Sequence, residues 1–381
     1  MPFPRSAVAA LVANLVAIDS TNPDLVPGAP GEAEIARFVA GWLDRAGVAV
    51  ALEEAAPGRP NVVGTVRGRG GGRTLMLNAH TDTVGPGGMR DPLSPRVVGD
   101  RLHGRGAFDM KGSLAAIMLV AAEAARLGWR GDLVVTAVCD EEFASVGTQA
   151  VAARHRADAA IVTEPTGLDL VVAHKGFVWL AVETAGVAAH GSLPDAGVDA
   201  VAKMGPVLSG VAALDRRLRA GAGHPLLGTG SVHASLIRGG QELSSYPASC
   251  RLEIERRTVP GEDAALALAE VRAILGGAAA NDRAFRATAE TLLSRDPFEV
   301  APDVEIVRLL RDAIPAATGR EPALIGQGGW MDSALLAAAG IPSVVFGPAG
   351  AGAHADDEWV DLPSVGRAAD VLLAVATAFC N

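Results

Sequence analysis

The sequence has few cysteines and few aromatic residues, and it lacks an excess of positive charge. Its 381 residues include three cysteines, Cys139, Cys250 and Cys380, which are far apart and odd in number. A thiolate zinc site needs closely paired cysteines, and an odd number of distant cysteines fits a reducing compartment better than a disulfide framework. We interpret each cysteine as a small buried hydrophobic residue in a reducing compartment, which predicts a cytoplasmic protein.

The charge balance argues against a nucleic-acid partner. The formal net charge is −10, with 33 Lys and Arg against 43 Asp and Glu. Binding to nucleic acid depends on clustered basic side chains that neutralise phosphates, so a small-molecule partner is favoured. No run reaches the roughly 20 apolar residues of a membrane span, which predicts no membrane partner. Near the N-terminus, the spacing of Leu11, Leu15 and Ile18 is typical of an amphipathic helix rather than a signal peptide.

The remaining composition is that of a globular α/β protein. Hydrophobic residues make up 49% of the chain and aromatic residues only 4%, so Ala, Val and Leu must fill the interior. The length exceeds what one hydrophobic core usually supports, which predicts two domains.

Helix and strand patterns alternate over the first 170 residues. Strands are predicted over 61–68, 73–80 and 131–142, and an apolar helix over 113–128 connects the last two. A strand, helix, strand order implies parallel pairing with function at the strand ends. We therefore expect a mixed, mostly parallel sheet flanked by helices.

A different pattern begins at about residue 174. Its predicted order is βαββαβ, which is typical of a ferredoxin-like unit with a four-stranded antiparallel sheet and two helices on one face. The helix and strand alternation resumes after Pro297. We therefore predict a domain of residues 174–295 inserted into one formed by residues 1–173 and 296–381.

Two short motifs carry residues that are suited to metal binding. In HTD, His80 and Asp82 lie on the same face of an extended segment, so the carboxylate can orient the imidazole. In GRGAFDMKG, Asp109 lies between glycines and precedes a helix. Each motif alone has an ordinary explanation, an incidental triplet in the first case and a helix N-cap in the second.

Three further segments supply carboxylates and an imidazole. Glu141 and Glu142 follow a β-rich run, and two adjacent carboxylates repel each other unless a positive charge lies nearby. Glu164 precedes a proline after another strand, and His354 lies in a loop of small residues. Alone, each could be a solvated turn. Together, imidazole and carboxylate oxygen are the ligands that suit a pair of divalent cations such as zinc.

The motifs and their order resemble one family over nearly the whole chain. This is the acetylornithine deacetylase and succinyl-diaminopimelate desuccinylase group of two-metal amidohydrolases and peptidases, which includes aminoacylases and glutamate carboxypeptidases. The matching motifs are HTDTV, GRGAFDMKG, VCDEEFASVG, TEPT, AAHGSLP, ERRTVPGE, IPSVVFGP and GAHADDEWV.

The resemblance implies a set of five metal ligands. Asp109 would bridge two divalent cations, most readily zinc and alternatively cobalt, in a two-metal site. His80 and Glu164 would complete one site, and Glu142 and His354 the other.

Two neighbouring residues would act in catalysis without binding metal. By the same resemblance, Glu141 would be the general base that takes a proton from water, and Asp82 would hold the ring of His80. The resemblance also implies a cis peptide bond between Asp109 and Met110.

Four residues are candidates for binding substrate. By resemblance, His190 would stabilise the oxyanion, often across a homodimer formed through the inserted domain, and Arg257 would hold a substrate carboxylate. The chain departs from the family at Ser244, where many relatives have Asn. Trp330 precedes the pocket-side Asp332 and has either a packing or a substrate role.

The predicted activity is metal-dependent hydrolysis of the amide bond of an N-acyl amino acid. A dipeptidase or carboxypeptidase, or an N-carbamoyl-amino-acid amidohydrolase, would use the same ligands. A catalytically silent ligand-binding relative is the alternative outside enzymes. Loss of a ligand or of the base would favour that alternative, yet all are present.

Overall fold

The computed structural model describes residues 3–381, which separate into two compact units. The first unit comprises the chain up to Val172, together with Val300–Ile325 and Met331–Asn381. The second comprises Ala173–Glu299 and Gly326–Trp330. The sequence prediction assigned residues 173, 296–299 and 326–330 to the catalytic domain, whereas in the structure they group with the second unit.

The helices include long ones that pack on the sheets and short ones that connect strands. They are α1 Arg5–Val16, α2 Ala33–Arg45, α3 Gly112–Ala124, α4 Val146–Arg154, α5 Ala200–Arg219, α6 Ala264–Asn281, α7 Glu305–Thr318, α8 Ser333–Ala338 and α9 Leu362–Cys380. An irregular turn, Ala107–Lys111, precedes α3.

The strands form one large sheet and two sheets of four strands. They are β1 Ala49–Ala56, β2 Arg59–Val66, β3 Leu75–His80, β4 Arg96–Val98, β5 Arg101–His103, β6 Leu133–Val138, β7 Ala159–Val162, β8 Leu170–His174, β9 Gly176–Ala185, β10 Ser231–Gly239, β11 Ser249–Thr258, β12 Ala287–Arg295, β13 Phe298–Glu299, β14 Leu324–Gln327, β15 Ser343–Val345, β16 Gly350–Ala351 and β17 Trp359–Asp361.

The large sheet has a parallel centre and antiparallel flanks. In the first unit its order is β1, β2, β6, β3, β7, β15 and β8. The pairs β6/β3, β3/β7 and β7/β15 are parallel, and β1/β2, β2/β6 and β15/β8 are antiparallel. Every residue of β3, β6 and β7 is buried, because helices cover both faces of a parallel sheet. The predicted mixed sheet flanked by helices is confirmed, with its parallel pairs confined to the centre.

The apolar run between β3 and β6 forms the central helix α3. Ten of its 13 residues are buried, including Leu114, Ile117 and Met118, so it is surrounded by protein. It ends at Ala124, four residues before the predicted end at Gly128. Helix α9 packs against the same core, and its N-terminus is capped by Asp361, whose carboxylate accepts the Ser364 N–H at 2.9 Å.

The second unit has the predicted βαββαβ order. Strands β10, β11, β9 and β12 form an antiparallel sheet in that spatial order. Helices α5 and α6 pack on its core, which includes Val178, Leu252 and Val271. Both helices are capped by aspartates that accept backbone N–H groups, Asp199 at 2.9 Å and Asp263 at 2.8 Å.

Within residues 3–381, two helices are long and apolar enough to cross a membrane by length and composition alone. In α9, 61% of the apolar window is buried inside the protein, as in the core helix of a globular unit. In α6 the buried fraction is 22%, and one stripe of Ala267, Val271 and Leu275 packs on the sheet.

Candidate metal centre

The carboxyl ends of neighbouring parallel strands bring the candidate ligands together. His80 is the last residue of β3, Glu142 follows β6 by four residues, and Glu164 follows β7 by two. Since β6, β3 and β7 are adjacent and parallel, their carboxyl ends meet at one edge of the sheet. Asp109 lies in the irregular turn before α3.

In the part of the chain that the structure describes, two groups of side chains are close enough to hold a cation, and Asp109 belongs to both. One consists of His80, Asp109 and Glu164, and the other of Asp109, Glu142 and His354. In each group the ligand atoms lie within 4.8 Å of one another. These are the two sets that the family resemblance implied.

The two carboxylate oxygens of Asp109 face different histidines. Oδ1 lies 3.1 Å from Nε2 of His80, and Oδ2 lies 3.3 Å from Nε2 of His354. Nε2 of His80 also lies 3.7 Å from Oε1 of Glu164, and Nε2 of His354 lies 2.9 Å from Oε2 of Glu142. A carboxylate in this position can bind one cation through each oxygen.

The donor set fits divalent cations. Among the described residues, Oε1 of Glu142 and Oε1 of Glu164 are buried and have no hydrogen-bond partner. A buried carboxylate oxygen without a partner is costly, and a cation would satisfy it. Two imidazoles and three carboxylates offer nitrogen and oxygen ligands of the kind that zinc accepts.

The carboxylates of the site lie close enough together to change one another's pKa values. Burial, together with the charge of Asp109, raises the pKa of Glu142 to about 7. Burial also raises the pKa of Glu164 well above its ordinary value, and nearby Asp109 adds to the effect. Hydrogen bonds with Asp109 and Glu142 raise the pKa of His354 to about 10. Without bound cations, these side chains therefore tend to bind protons.

His80 is held by Asp82, though through a different oxygen from the one that the sequence suggested. Its Nδ1 lies 2.9 Å from the main-chain carbonyl oxygen of Asp82, while the carboxylate Oδ1 is 3.6 Å away. The carboxylate has other partners, because it accepts the backbone N–H groups of Glu141 and Glu142, both at 3.1 Å. The carboxylate of Asp82 thus fixes the glutamate pair, and the carbonyl fixes the ring.

Comparison with known proteins gives the family. Residues 76–378 match the model of Peptidase family M20/M25/M40. An acetylornithine deacetylase of Myxococcus xanthus is 30% identical over 98% of both chains. Another, from Photorhabdus laumondii, is 27% identical over 98% of this chain and 95% of that protein. The chain belongs to Peptidase family M20/M25/M40. It is a hydrolase of this family, which acts on amide bonds.

Solved structures show the same fold. A tripeptidase from Staphylococcus aureus superposes with a TM-score of 0.81 at 20% identity, and the match covers both chains completely. A dinuclear metal-binding M20 peptidase from Bacillus subtilis has a TM-score of 0.75 at 16% identity over 99% of this chain and 98% of that one.

The structure distinguishes the two adjacent glutamates of this M20-family chain. Glu142 belongs to a ligand group, whereas Glu141 belongs to neither of the two groups. Burial and the charge of Glu164 raise the pKa of Glu141 well above its ordinary value. A half-buried carboxyl next to a ligand, with a raised pKa, has the character of a proton acceptor and donor.

The turn that carries Asp109 is fixed by a residue that the sequence analysis missed. Glu358 is buried, and Oε1 of its carboxylate accepts the backbone N–H groups of Phe108 at 2.9 Å and Asp109 at 3.0 Å. Its Oε2 accepts from Gly106 at 3.0 Å and from Arg105 at 2.8 Å. The predicted cis peptide bond between Asp109 and Met110 is confirmed.

Asp332 is a second buried acid, which the sequence analysis placed on the pocket side but to which it gave no role. Thr148 donates its hydroxyl to Oδ2 of Asp332 at 2.6 Å, and Oδ1 has no partner among the described residues. Burial raises the pKa of Asp332 to about 6. The only sequence signal was its position after Trp330 and Met331.

Two of the predicted substrate-binding residues lie together in the second unit. His190 is exposed, and its Nδ1 lies 2.8 Å from the hydroxyl of Ser192. The carbonyl of Ser244 accepts the Gly191 N–H at 2.7 Å, so the Ser244 loop is attached to the His190 loop. The backbone of Ser244 therefore lies beside the His190 loop.

The other two predicted residues contact one aromatic ring. The guanidinium of Arg257 lies 5.4 Å from the ring centroid of Phe177, and Trp330 meets the same ring edge-on at 6.2 Å. Arg257 is also paired with Glu255, with Nε 2.6 Å from Oε1. The indole N–H of Trp330 donates to the carbonyl of Asp296 at 3.0 Å, which gives Trp330 a packing role within this unit.

Proposed function

We propose that the protein hydrolyses the amide bond of an N-acyl amino acid with the help of two divalent cations, zinc in preference to cobalt. One observation carries the proposal. The two oxygens of Asp109 face His80 on one side and His354 on the other, so one carboxylate serves both ligand groups. A site of this form suits a pair of cations that share one ligand.

The ligands divide between the two positions. His80 and Glu164 would bind one cation and Glu142 and His354 the other, while Asp109 would bind both. When bound, two such cations lower the pKa of an attacking water and polarise the carbonyl of the scissile amide. The main-chain carbonyl of Asp82 would keep Nε2 of His80 directed at the site by accepting from Nδ1.

Glu141 would move the proton. It would accept a proton from the attacking water and deliver it to the nitrogen of the leaving amine. Its backbone N–H is held by the carboxylate of Asp82, which supports a fixed position for the side chain. A carboxyl whose burial raises its pKa holds an accepted proton long enough to pass it on.

The inserted segment, residues 174–295, would act as a lid and as a dimerisation domain. His190 would stabilise the oxyanion, and its exposed imidazole is available for that purpose. Arg257 would bind the substrate carboxylate, and for this its guanidinium must exchange part of its pairing with Glu255. Ser244 and Trp330 would contribute to selection of the acyl group and the amino-acid side chain.

The substrate class is supported by relatives of nearly full length. The proteins from Myxococcus xanthus and Photorhabdus laumondii that match this chain are named acetylornithine deacetylase. All the ligands and the base that an N-acyl amino acid hydrolase would need are present. These observations favour deacylation over a silent binding function.

A hydrolysis screen with controlled metal content tests the proposal. Protein stripped with a chelator would be assayed against N-acetyl, N-succinyl and N-carbamoyl amino acids and dipeptides, before and after addition of Zn²⁺ or Co²⁺. We expect no turnover in stripped protein, and recovery on an N-acyl amino acid after metal addition. Full activity in stripped protein would overturn the mechanism, and preference for a dipeptide or a carbamoyl substrate would overturn the substrate class.

A further inference from the structure

A buried amide lies between two carboxylates beside the metal centre. Asn22 is completely buried, and its Nδ2 donates to Oδ2 of Asp82 at 2.8 Å and to Oδ1 of Asp140 at 3.1 Å. Its own Oδ1 accepts the backbone N–H of Asp24 at 2.9 Å. The amide is thereby oriented with its two hydrogens toward the two acids, and among the described residues no other side chain donates a hydrogen bond to both.

These two carboxylates hold the turn that carries the glutamate pair. Asp82 accepts the backbone N–H groups of Glu141 and Glu142, each at 3.1 Å. Asp140 directly precedes them in a left-handed conformation with φ of 67°, and its Oδ2 accepts the Val146 N–H at 3.3 Å. A non-glycine residue in this region is strained and persists where its surroundings hold it.

A buried ion pair supports the turn from the opposite side. Arg59 donates to Oδ1 of Asp140 at 3.1 Å and forms a two-fold contact with Glu32, with both distances 2.6 Å. Arg59 also donates to Oδ2 of Asp24 at 2.7 Å, so three acids, Asp24, Glu32 and Asp140, surround one guanidinium. Asp82 and Asp140 still repel each other. The Asn22 amide offsets this repulsion, because it donates a hydrogen bond to each carboxylate without adding negative charge.

We propose that Asn22 is a positioning residue that ties Asp82 to Asp140 and thereby sets the places of Glu141 and Glu142. The inference rests on the proposed two-metal function, because Glu142 is one of the ligands that function requires. Loss of the amide would let the two acids separate and would shift the turn. The group of Asp109, Glu142 and His354 would then bind its cation more weakly than the group of His80, Asp109 and Glu164.

Zn²⁺ titration of the metal-free protein provides the test. Isothermal calorimetry on full-length wild type should show two binding events per chain. Asn22→Ala should weaken one event by about 10- to 100-fold, the usual effect of losing a residue that orients a metal ligand. With Co²⁺ as the probe, the visible absorption spectrum of the variant should differ from that of wild type, because the geometry of one site has changed.

A second buried asparagine provides a matched control. Asn61 is also completely buried, and it donates to the Gly147 carbonyl at 2.8 Å and accepts from the Cys139 N–H at 3.0 Å. In the described part of the chain, it forms no hydrogen bond with Asp82 or Asp140. Asn61→Ala removes the same amide group and should lower the melting temperature by a similar amount, while both Zn²⁺ events and the Co²⁺ spectrum stay as in wild type.

A milder variant keeps the test decisive if Asn22→Ala does not fold. In Asn22→Ser the hydroxyl can donate to only one of the two acids, so an intermediate loss of Zn²⁺ affinity is expected. Unchanged Zn²⁺ binding in the Asn22 variants, or an equal loss in Asn61→Ala, would overturn the inference. Absence of two Zn²⁺ events in wild type would overturn the proposed function and this inference with it, and would be recognised before any variant is compared.

Discussion

The carboxylate of Glu358 accepts the backbone N–H of Asp109, with 3.0 Å between N and Oε1. The residue shared by both ligand groups is therefore fixed through its main chain by an acid that binds no cation itself. Both oxygens of Glu358 are fully used, since each accepts two hydrogen bonds from the 105–109 segment.

Glu358→Gln should disturb the metal centre from a distance. An amide has one acceptor oxygen in place of two, so its NH₂ group would face donors, and the buried guanidinium of Arg105 would lose its charged partner. Breaking a buried pair costs about 3–5 kcal/mol, and we expect a lower free energy of unfolding by that order. Zn²⁺ affinity should fall by about 10- to 100-fold in calorimetric titration.

An exposed glutamate provides the control for Glu358. Glu305 pairs with Arg73 at the surface, where their side chains are 45% and 43% exposed. Glu305→Gln should change the free energy of unfolding by less than about 1 kcal/mol and leave Zn²⁺ binding intact. Wild-type Zn²⁺ affinity in Glu358→Gln would contradict the positioning role.

Glu141→Gln should separate metal binding from turnover. Glu141 lies outside both ligand groups, so both Zn²⁺ ions should still bind. Loss of the general base should lower kcat by about 10²- to 10⁴-fold. In the neighbouring variant Glu142→Gln, one Zn²⁺ event itself should weaken. If Glu141→Gln keeps most of its kcat, the base has been assigned to the wrong residue.

The sequence predicted the centre of the site because strand ends leave local signals. His80, Glu142 and Glu164 each follow an apolar run, and their order along the chain matched a known family. Parallel pairing followed from the strand, helix, strand order, and the βαββαβ unit from its alternating periodicities. These features depend on residues that are close together along the chain, so they can be predicted from a single sequence.

The parts that the sequence did not predict depend on long-range pairing. Strand β1 and the small sheet of β4, β5, β16 and β17 were not predicted, because these strands are short or exposed and have weak apolar patterns. The roles of Asn22 and Glu358 were missed for a related reason. Both act on residues that are 60 or more positions away, and no periodicity indicates such partners.

Metal binding should release protons, and the affinity should rise with pH. In the metal-free protein the hydrogen bonds with Asp109 and Glu142 raise the pKa of His354 to about 10, so at neutral pH its imidazole carries a proton. A cation can bind only after that proton leaves. Because the pKa of His354 is raised, protons compete with the cation for its imidazole as the pH increases. This competition ends only above about pH 10.

Calorimetry in two buffers of different ionisation enthalpy measures the released protons. Wild type should release about one proton more than His354→Gln at neutral pH, because glutamine has no ionisable imidazole. Zn²⁺ affinity of wild type should also increase steadily from mildly acidic to mildly alkaline pH. Proton release that is equal in the two proteins would show that His354 is already neutral before binding.

The proposed dimer makes a prediction about His190. Its imidazole is exposed in the second unit, and within residues 3–381 its side-chain hydrogen-bond partner is the nearby Ser192, so it is available to a partner subunit. His190→Ala and Glu141→Gln should each be inactive alone. In a heterodimer of the two, one site would combine an intact Glu141 with the His190 of the other subunit, so mixing and reassociation should restore part of the activity. A mixture that forms heterodimers by native mass spectrometry yet stays inactive would show that His190 acts within its own chain.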